Sequence, residues 1–283
     1  MAIFPRFFAF FLVSLFFSQT LLAESPQAGA QNNASQQIDS GGASITEKIG
    51  AHLKIHDVWF RDEEGHAKHV ADFLHPGRPT LFALVYYDCP GICTVILNNL
   101  LKTMKGMSLT PGKDFEIVAV SVRAAETPEL AKKKKESYLR IYGKPETADG
   151  WHFLTGDEKN IYNFSKQLGY YFQFIPGTQE IGHDAGLFFV NSEGVIKRVL
   201  FGVDFPEEAL KLALLEAGSL STGTLKDQWQ ALFKKYNYVT RTYQPHSPTG
   251  LFVSALAVLL SPIGFVAGKR LRRRGVRPKQ PSA

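Results

Sequence analysis

The sequence predicts an α/β fold, a mixed sheet flanked by helices, on three observations. Short apolar runs at 81–87 and 115–122, rich in branched and aromatic side chains, suit strands buried on both faces. Between such runs, segments such as 94–101 carry apolar residues at helical spacing. Near the end, runs at 186–190 and 195–201 are joined by Asn191-Ser192-Glu193-Gly194, a hairpin signal, so the sheet closes on antiparallel strands.

Taken in order, residues 1–23 carry one positive charge, Arg6, then an aromatic-rich core over 7–17 and the small residue Ala23, the pattern of a secretory signal peptide. Residues 24–50 are rich in Gln, Ser, Ala, Asn and Gly, which predicts a flexible linker. Runs at 53–60 and 67–73 flank the turn-rich Arg61-Asp62-Glu63-Glu64-Gly65 and read as a hairpin. The strand at 81–87 leads through a loop at 88–92 into the helix that begins near Thr94. After the second strand, Thr127-Pro128-Glu129 opens a helix reaching Tyr142, with Thr as cap and Pro in the first turn. Its four lysines, 132–135, read as a solvated face. A strand is expected at 151–154, a helix at 157–168 ended by Gly169, and a strand at 170–175. Helices at 207–216 and 225–236 follow.

Residues 250–268 are uncharged and mostly apolar, long enough to cross a bilayer, and Pro262 would kink such a helix. The cluster Lys269, Arg270, Arg272, Arg273, Arg274, Arg277 and Lys279 fixes that end in the cytoplasm. Both ends predict an exported domain on a C-terminal single-pass anchor. The expected order is domain at 51–217, helical extension and membrane linker at 218–249, transmembrane helix at 250–268 and basic cytoplasmic tail at 269–283. The net charge of +6 then changes meaning: of 32 Lys and Arg, seven lie in the tail and one in the leader, leaving 24 against 26 acids. Basicity belongs to membrane topology and indicates no nucleic-acid partner.

The chain has two cysteines, both in Asp88-Cys89-Pro90-Gly91-Ile92-Cys93 on the strand-to-helix turn. The partial positive charge of a helix start favours thiolate and predicts a lowered pKa for Cys93. Such a pair can close as a disulfide or converge as two soft ligands on one metal ion. A three-residue loop gains little from a structural cross-link, so a bond there makes more sense as a reversible one. His66-x-x-His69 has a possible metal spacing but no supporting ligands and reads as surface. There is no Gly-rich phosphate loop and no Ser nucleophile elbow.

The strand, Cys89-Pro90-Gly91-Ile92-Cys93, the helix, and a later His in Gly182-His183-Asp184-Ala185-Gly186 resemble the SCO/SenC family, thioredoxin-like copper proteins that assist cytochrome c oxidase assembly. The resemblance runs from about Ala51 to about Pro206 and implies a thioredoxin-like mixed sheet with copper, Cu(I) or Cu(II), on Cys89, Cys93 and His183. The family commonly has Asp where Gly91 stands and another where this chain reads Ser121-Val122-Arg123; neither is a family ligand. Two thiolates and an imidazole suit Cu(I), whereas zinc would want a fourth ligand, for which only Asp88 or Asp184 is near in sequence. The implied function is a metallochaperone tethered in a bacterial-type inner membrane with its domain in the periplasm. It would assist the dinuclear copper centre of cytochrome c oxidase, with subunit II or its assembly factors as partner. The alternative is a thiol–disulfide oxidoreductase, a redox-active dithiol in which Cys89 attacks and Cys93 resolves.

Overall fold

The structure, a computed structural model, describes residues 44–245 apart from 90, 176, 178–179, 220–222 and 238–239. Three short strands come first: β1 (Ser44–Ile45), β2 (Trp59–Arg61) and β3 (Ala67–His69). Then β4 (Thr80–Val85), α1 (Ile92–Gly106), β5 (Glu116–Ser121), α2 (Pro128–Tyr142) and β6 (Trp151–Leu154) alternate. They are followed by α3 (Glu158–Leu168), β7 (Tyr170–Phe174), β8 (Ile181–His183), β9 (Gly186–Val190) and β10 (Ile196–Phe201). The last elements are α4 (Glu207–Ala217), α5 (Leu225–Leu232), β11 (Lys234–Asn237) and β12 (Thr242–Pro245).

The central sheet has the order β10–β9–β4–β5–β6. β4, β5 and β6 run parallel, and β9 runs antiparallel to both of its neighbours, β4 and β10, which is the mixed sheet expected. Every side chain of β4 and β5 is buried, which is why both read as continuous apolar runs without alternation. α2 packs on β6, and α4 packs on β10 and β9. Phe60 and Phe82 both meet Phe164 edge-on, at 5.5 and 5.2 Å between centroids, fixing α3 against the sheet. The helix boundaries follow their caps. Thr127 accepts the Leu130 N–H, Asp157 accepts the Asn160 N–H at 2.8 Å, and Gly143 and Gly169 end α2 and α3 in the left-handed conformation.

The sequence expectations need four corrections. The folded region begins before Ala51: Ser44 and Ile45 pair with Tyr171 and Tyr170 on the edge of β7, and Ile45 and Ile49 pack on the core. Two isoleucines in a polar stretch are enough to occupy an otherwise open strand edge. The hairpin strands at 53–60 and 67–73 shrink to β2 and β3: the residues before β2 are tied to the β9–β10 turn by a His52–Val195 bridge and by the Leu53 N–H on the Gly194 carbonyl at 2.8 Å, and Val70–Phe73 winds into a short 3-10 helix. The strand at 170–175 is formed as β7 but joins a separate sheet, β1–β7–β8. The helix expected at 225–236 stops at Leu232 and a hairpin of β11 and β12 follows. Tyr236 and Tyr243 face each other across that hairpin at 5.2 Å, and the Arg198 guanidinium lies 4.0 Å from the Tyr236 ring. Aromatic and cation–π packing overrides helical periodicity there.

Lys132 and Lys135, at the ends of the lysine run, pair with Glu64 and Glu63 of the β2–β3 turn. The signal peptide at 1–23, the transmembrane helix at 250–268 and the tail at 269–283 lie outside the described residues. Among the described residues no helix is long and apolar enough to cross a membrane.

Candidate metal centre

Where β4 ends, the chain turns into α1, and the two cysteines straddle the turn. Cys93 sits in the first turn of α1 and is almost fully buried; Cys89, in the loop, is 7% exposed against 1% for Cys93. Both are free thiols. The loop is held on several sides. The Gly91 N–H donates to Cys89 Sγ at 3.3 Å, and the Thr94 hydroxyl donates to the Cys89 carbonyl at 2.9 Å. The Tyr86 N–H points at Cys93 Sγ at 3.5 Å.

His183 comes from β8, far away in sequence, and its Nε2 lies 3.1 Å from Cys93 Sγ. Its Nδ1 lies 2.8 Å from the Asp184 carbonyl oxygen. A carbonyl can only accept, so Nδ1 carries the hydrogen, and in the neutral ring Nε2 is left as the acceptor facing Cys93. That tautomer is the one a soft metal ion would use. Asp184 is itself held, its Oδ2 accepting the Ile45 N–H at 3.1 Å, so β1 supports the His183 turn. Tyr86 and Tyr170 wall the imidazole at 6.4 and 6.0 Å between centroids.

The two thiols differ electrically, and Cys93 lacks the lowered pKa expected from its place at the helix start. Burial pushes the Cys93 thiol well up, and the neighbouring Cys89 and Glu126 charges add to it, outweighing the Tyr86 N–H. Burial is also the largest influence on Cys89, raising it. The Tyr86 hydroxyl and the N–H groups of Cys93 and Gly91 together overcome it, leaving Cys89 below its ordinary value. The helix start therefore serves the loop cysteine whose sulfur points back at it, while Cys93 is too deep to benefit. At about pH 8, iodoacetamide should alkylate Cys89 at least about tenfold faster than Cys93, as read by peptide mass spectrometry. Equal rates would contradict this order.

Of the three residues predicted from sequence, the structure brings Cys93 and His183 into contact and puts Cys89 beside them, linked to Cys93 by a hydrogen bond. Among the described residues no three His, Cys, Asp or Glu side chains converge closely enough to hold a metal ion as they stand. The predicted surface pair diverges: His66 turns to Asp62, while the His69 ring packs on Trp59. His75 and His152 lie 3.9 and 3.2 Å from the buried Glu116 carboxylate, which also holds the Arg78 guanidinium at 2.9 Å. A guanidinium in that position neutralises the carboxylate without a metal.

The sequence reading missed Glu126. Its buried carboxylate accepts the Tyr87 N–H at 2.8 Å, the Asp88 N–H at 2.8 Å and the Ser121 hydroxyl at 2.6 Å. An acid just before a helix start looks like ordinary surface, and no local signal marks it otherwise.

The SCO1/SenC family model matches residues 55–213, more than half of the chain. The chain belongs to the SCO1/SenC family. Among solved structures, a protein from Aquifex aeolicus VF5 is similar at 21% identity and a TM-score of 0.51, over 60% of this chain and 94% of that one. At that identity the likeness establishes the fold of this SCO1/SenC chain and nothing further. ScoI from Bradyrhizobium japonicum with copper bound is 21% identical with a TM-score of 0.42, over 59% of this chain and 99% of that one. ScoI from Arabidopsis thaliana with copper bound is 16% identical with a TM-score of 0.45, over 61% and 96%. No curated protein matches the chain.

Proposed function

We propose that this protein is a copper metallochaperone, carrying a single copper ion as cargo on Cys89, Cys93 and His183 and delivering it to the dinuclear copper centre of cytochrome c oxidase. The observation that carries this reading is the Cys93–His183 contact, formed by two residues 90 positions apart. Membership of the SCO1/SenC family and the copper-bound state of its ScoI relatives support it. The donor set is chemically apt, since two thiolates and an imidazole suit Cu(I).

Loading requires the residues to give up their present partners. Cys93 S–H donates to His183 Nε2, so the proton must leave before both atoms can turn lone pairs to an ion. Cys89 must turn its sulfur from the Gly91 N–H and the Tyr86 hydroxyl towards that pair. Cys89, being less buried and held below its ordinary pKa, is the arm to which an acceptor has access. Release then proceeds thiolate by thiolate, starting there. The leader, anchor and tail read from the sequence support a domain tethered on the periplasmic face of an inner membrane, beside subunit II or its assembly factors.

A competition titration of reduced full-length protein with Cu(I) and a chelator tests this. The expected result is tight binding at one ion per chain with release of thiol protons. Weak, non-stoichiometric binding would sink the proposal. The unequal thiols also favour a second reading, a thiol–disulfide oxidoreductase with Cys89 attacking and Cys93 resolving. That activity would show as disulfide exchange with no need for His183.

A further inference from the structure

Glu126 belongs to neither the cysteine loop nor the His183 strand, yet both of its oxygens are engaged by groups that set the loop. Oε1 accepts the Asp88 N–H, and Oε2 accepts the Tyr87 N–H and the Ser121 hydroxyl. A carboxylate only 8% exposed is costly unless its lone pairs are met, and charge-assisted bonds meet them here. The pairing of β4 with β5 ends at Val85 and Ser121, so the N–H groups of Tyr87 and Asp88 lie beyond the ladder and the carboxylate stands in for a strand. The next residue is Cys89, whose carbonyl is held from the other side by the Thr94 hydroxyl. The backbone entering Cys89 is therefore clamped between Glu126 and the first turn of α1. Glu129, three positions on, shows the ordinary alternative: it is solvent-facing in the first turn of α2.

We propose that Glu126 is a positioning residue for copper binding, fixing the Cys89 arm of the site while α1 and β8 fix the Cys93–His183 pair. The proposal rests on the copper reading above. Ser121 belongs to the same device: its hydroxyl donates to Glu126 and accepts the Arg123 N–H at 3.0 Å, which holds the carboxylate's own loop against the end of β5.

The test is Cu(I) competition on the full-length protein with Glu126→Gln, alone and combined with Cys89→Ser. The Gln amide keeps the shape but turns an N–H₂ donor towards a main-chain N–H. The single variant should bind Cu(I) about tenfold more weakly, at the low end of the loss seen for outer partners of metal ligands. In the Cys89→Ser background the same change should cost less than about twofold, because the arm it positions is gone. Equal losses in both backgrounds, or none in either, overturn the proposal. Ser121→Ala removes one of the three donors and should give a smaller loss with the same dependence on Cys89, which keeps the test valid if Glu126→Gln folds poorly. A copper-free readout separates this inference from the copper reading. The Gly91 amide touches Cys89 Sγ and not Glu126, and its exchange in the metal-free protein should quicken by about fivefold or more in Glu126→Gln. Unchanged exchange overturns the positioning role, whereas failure of the unaltered protein to bind Cu(I) overturns only the cargo.

Discussion

Cys93→Ser and His183→Ala should each weaken Cu(I) binding by more than about 100-fold, the upper end of what losing an outer partner of a ligand costs. The two residues meet at 3.1 Å, so either substitution removes one member of the only preformed donor pair in the site and leaves Cys89 with a single companion. The oxygen of Ser is a harder and poorer donor to Cu(I) than sulfur, although it fits the same space. His183→Ala decides between the two functional readings. Copper binding needs the imidazole, whereas exchange between Cys89 and Cys93 needs two sulfurs and would largely survive. Competition titration and a disulfide-exchange assay on the same preparation separate the cases. Wild-type copper affinity in His183→Ala, with exchange intact, would remove the metallochaperone reading and leave the oxidoreductase.

The two cysteines were legible because everything that presents them is local: an apolar strand, a turn and a helix start within 25 residues. The central strands were legible for the same reason, as were α2 and α3, the first through its Thr127-Pro128 start and the second through its Gly169 end. What escaped is what depends on distant segments. The lowered pKa expected for Cys93 is instead a raised one, because a helix start is visible in sequence but the burial of Cys93 is not. Glu126 was invisible because its three donors come from the end of β4, the cysteine loop and the end of β5. Helical spacing through 225–236 was correct for its first eight residues, then yielded to a hairpin that closes over Arg198. His183 was placed by family resemblance and not by spacing, and the contact with Cys93 supplies the physical reason that spacing lacked.

Gly169→Ala should destabilise the domain by about 3 kcal/mol, and Gly143→Ala by only about 1 kcal/mol. Both glycines end a helix in the left-handed conformation, at φ 80 and 78, so both pay the same backbone strain for a side chain. They differ in what the new Cβ meets. At Gly143 there is open space, whereas at Gly169 the Cβ would run into the main-chain oxygen of Thr46. That contact can be relieved only by moving the segment around β1, which breaks the Thr46 N–H bond to the Gly169 carbonyl at 2.7 Å and loosens the Ile45 N–H from Asp184. Each such bond is worth roughly 1 kcal/mol, which supplies the difference. For a domain of this size the melting temperature should fall by about 6–12 °C for Gly169→Ala and about 2–4 °C for Gly143→Ala, measured by circular dichroism. Limited proteolysis should then cut near residues 44–50 in the first variant and not in the second. Equal melting shifts would mean that β1 contributes nothing to stability. A selective loss at Gly169 would establish that the polar stretch before Ala51 is part of the folded domain, and that through Asp184 it braces the turn on which His183 is carried.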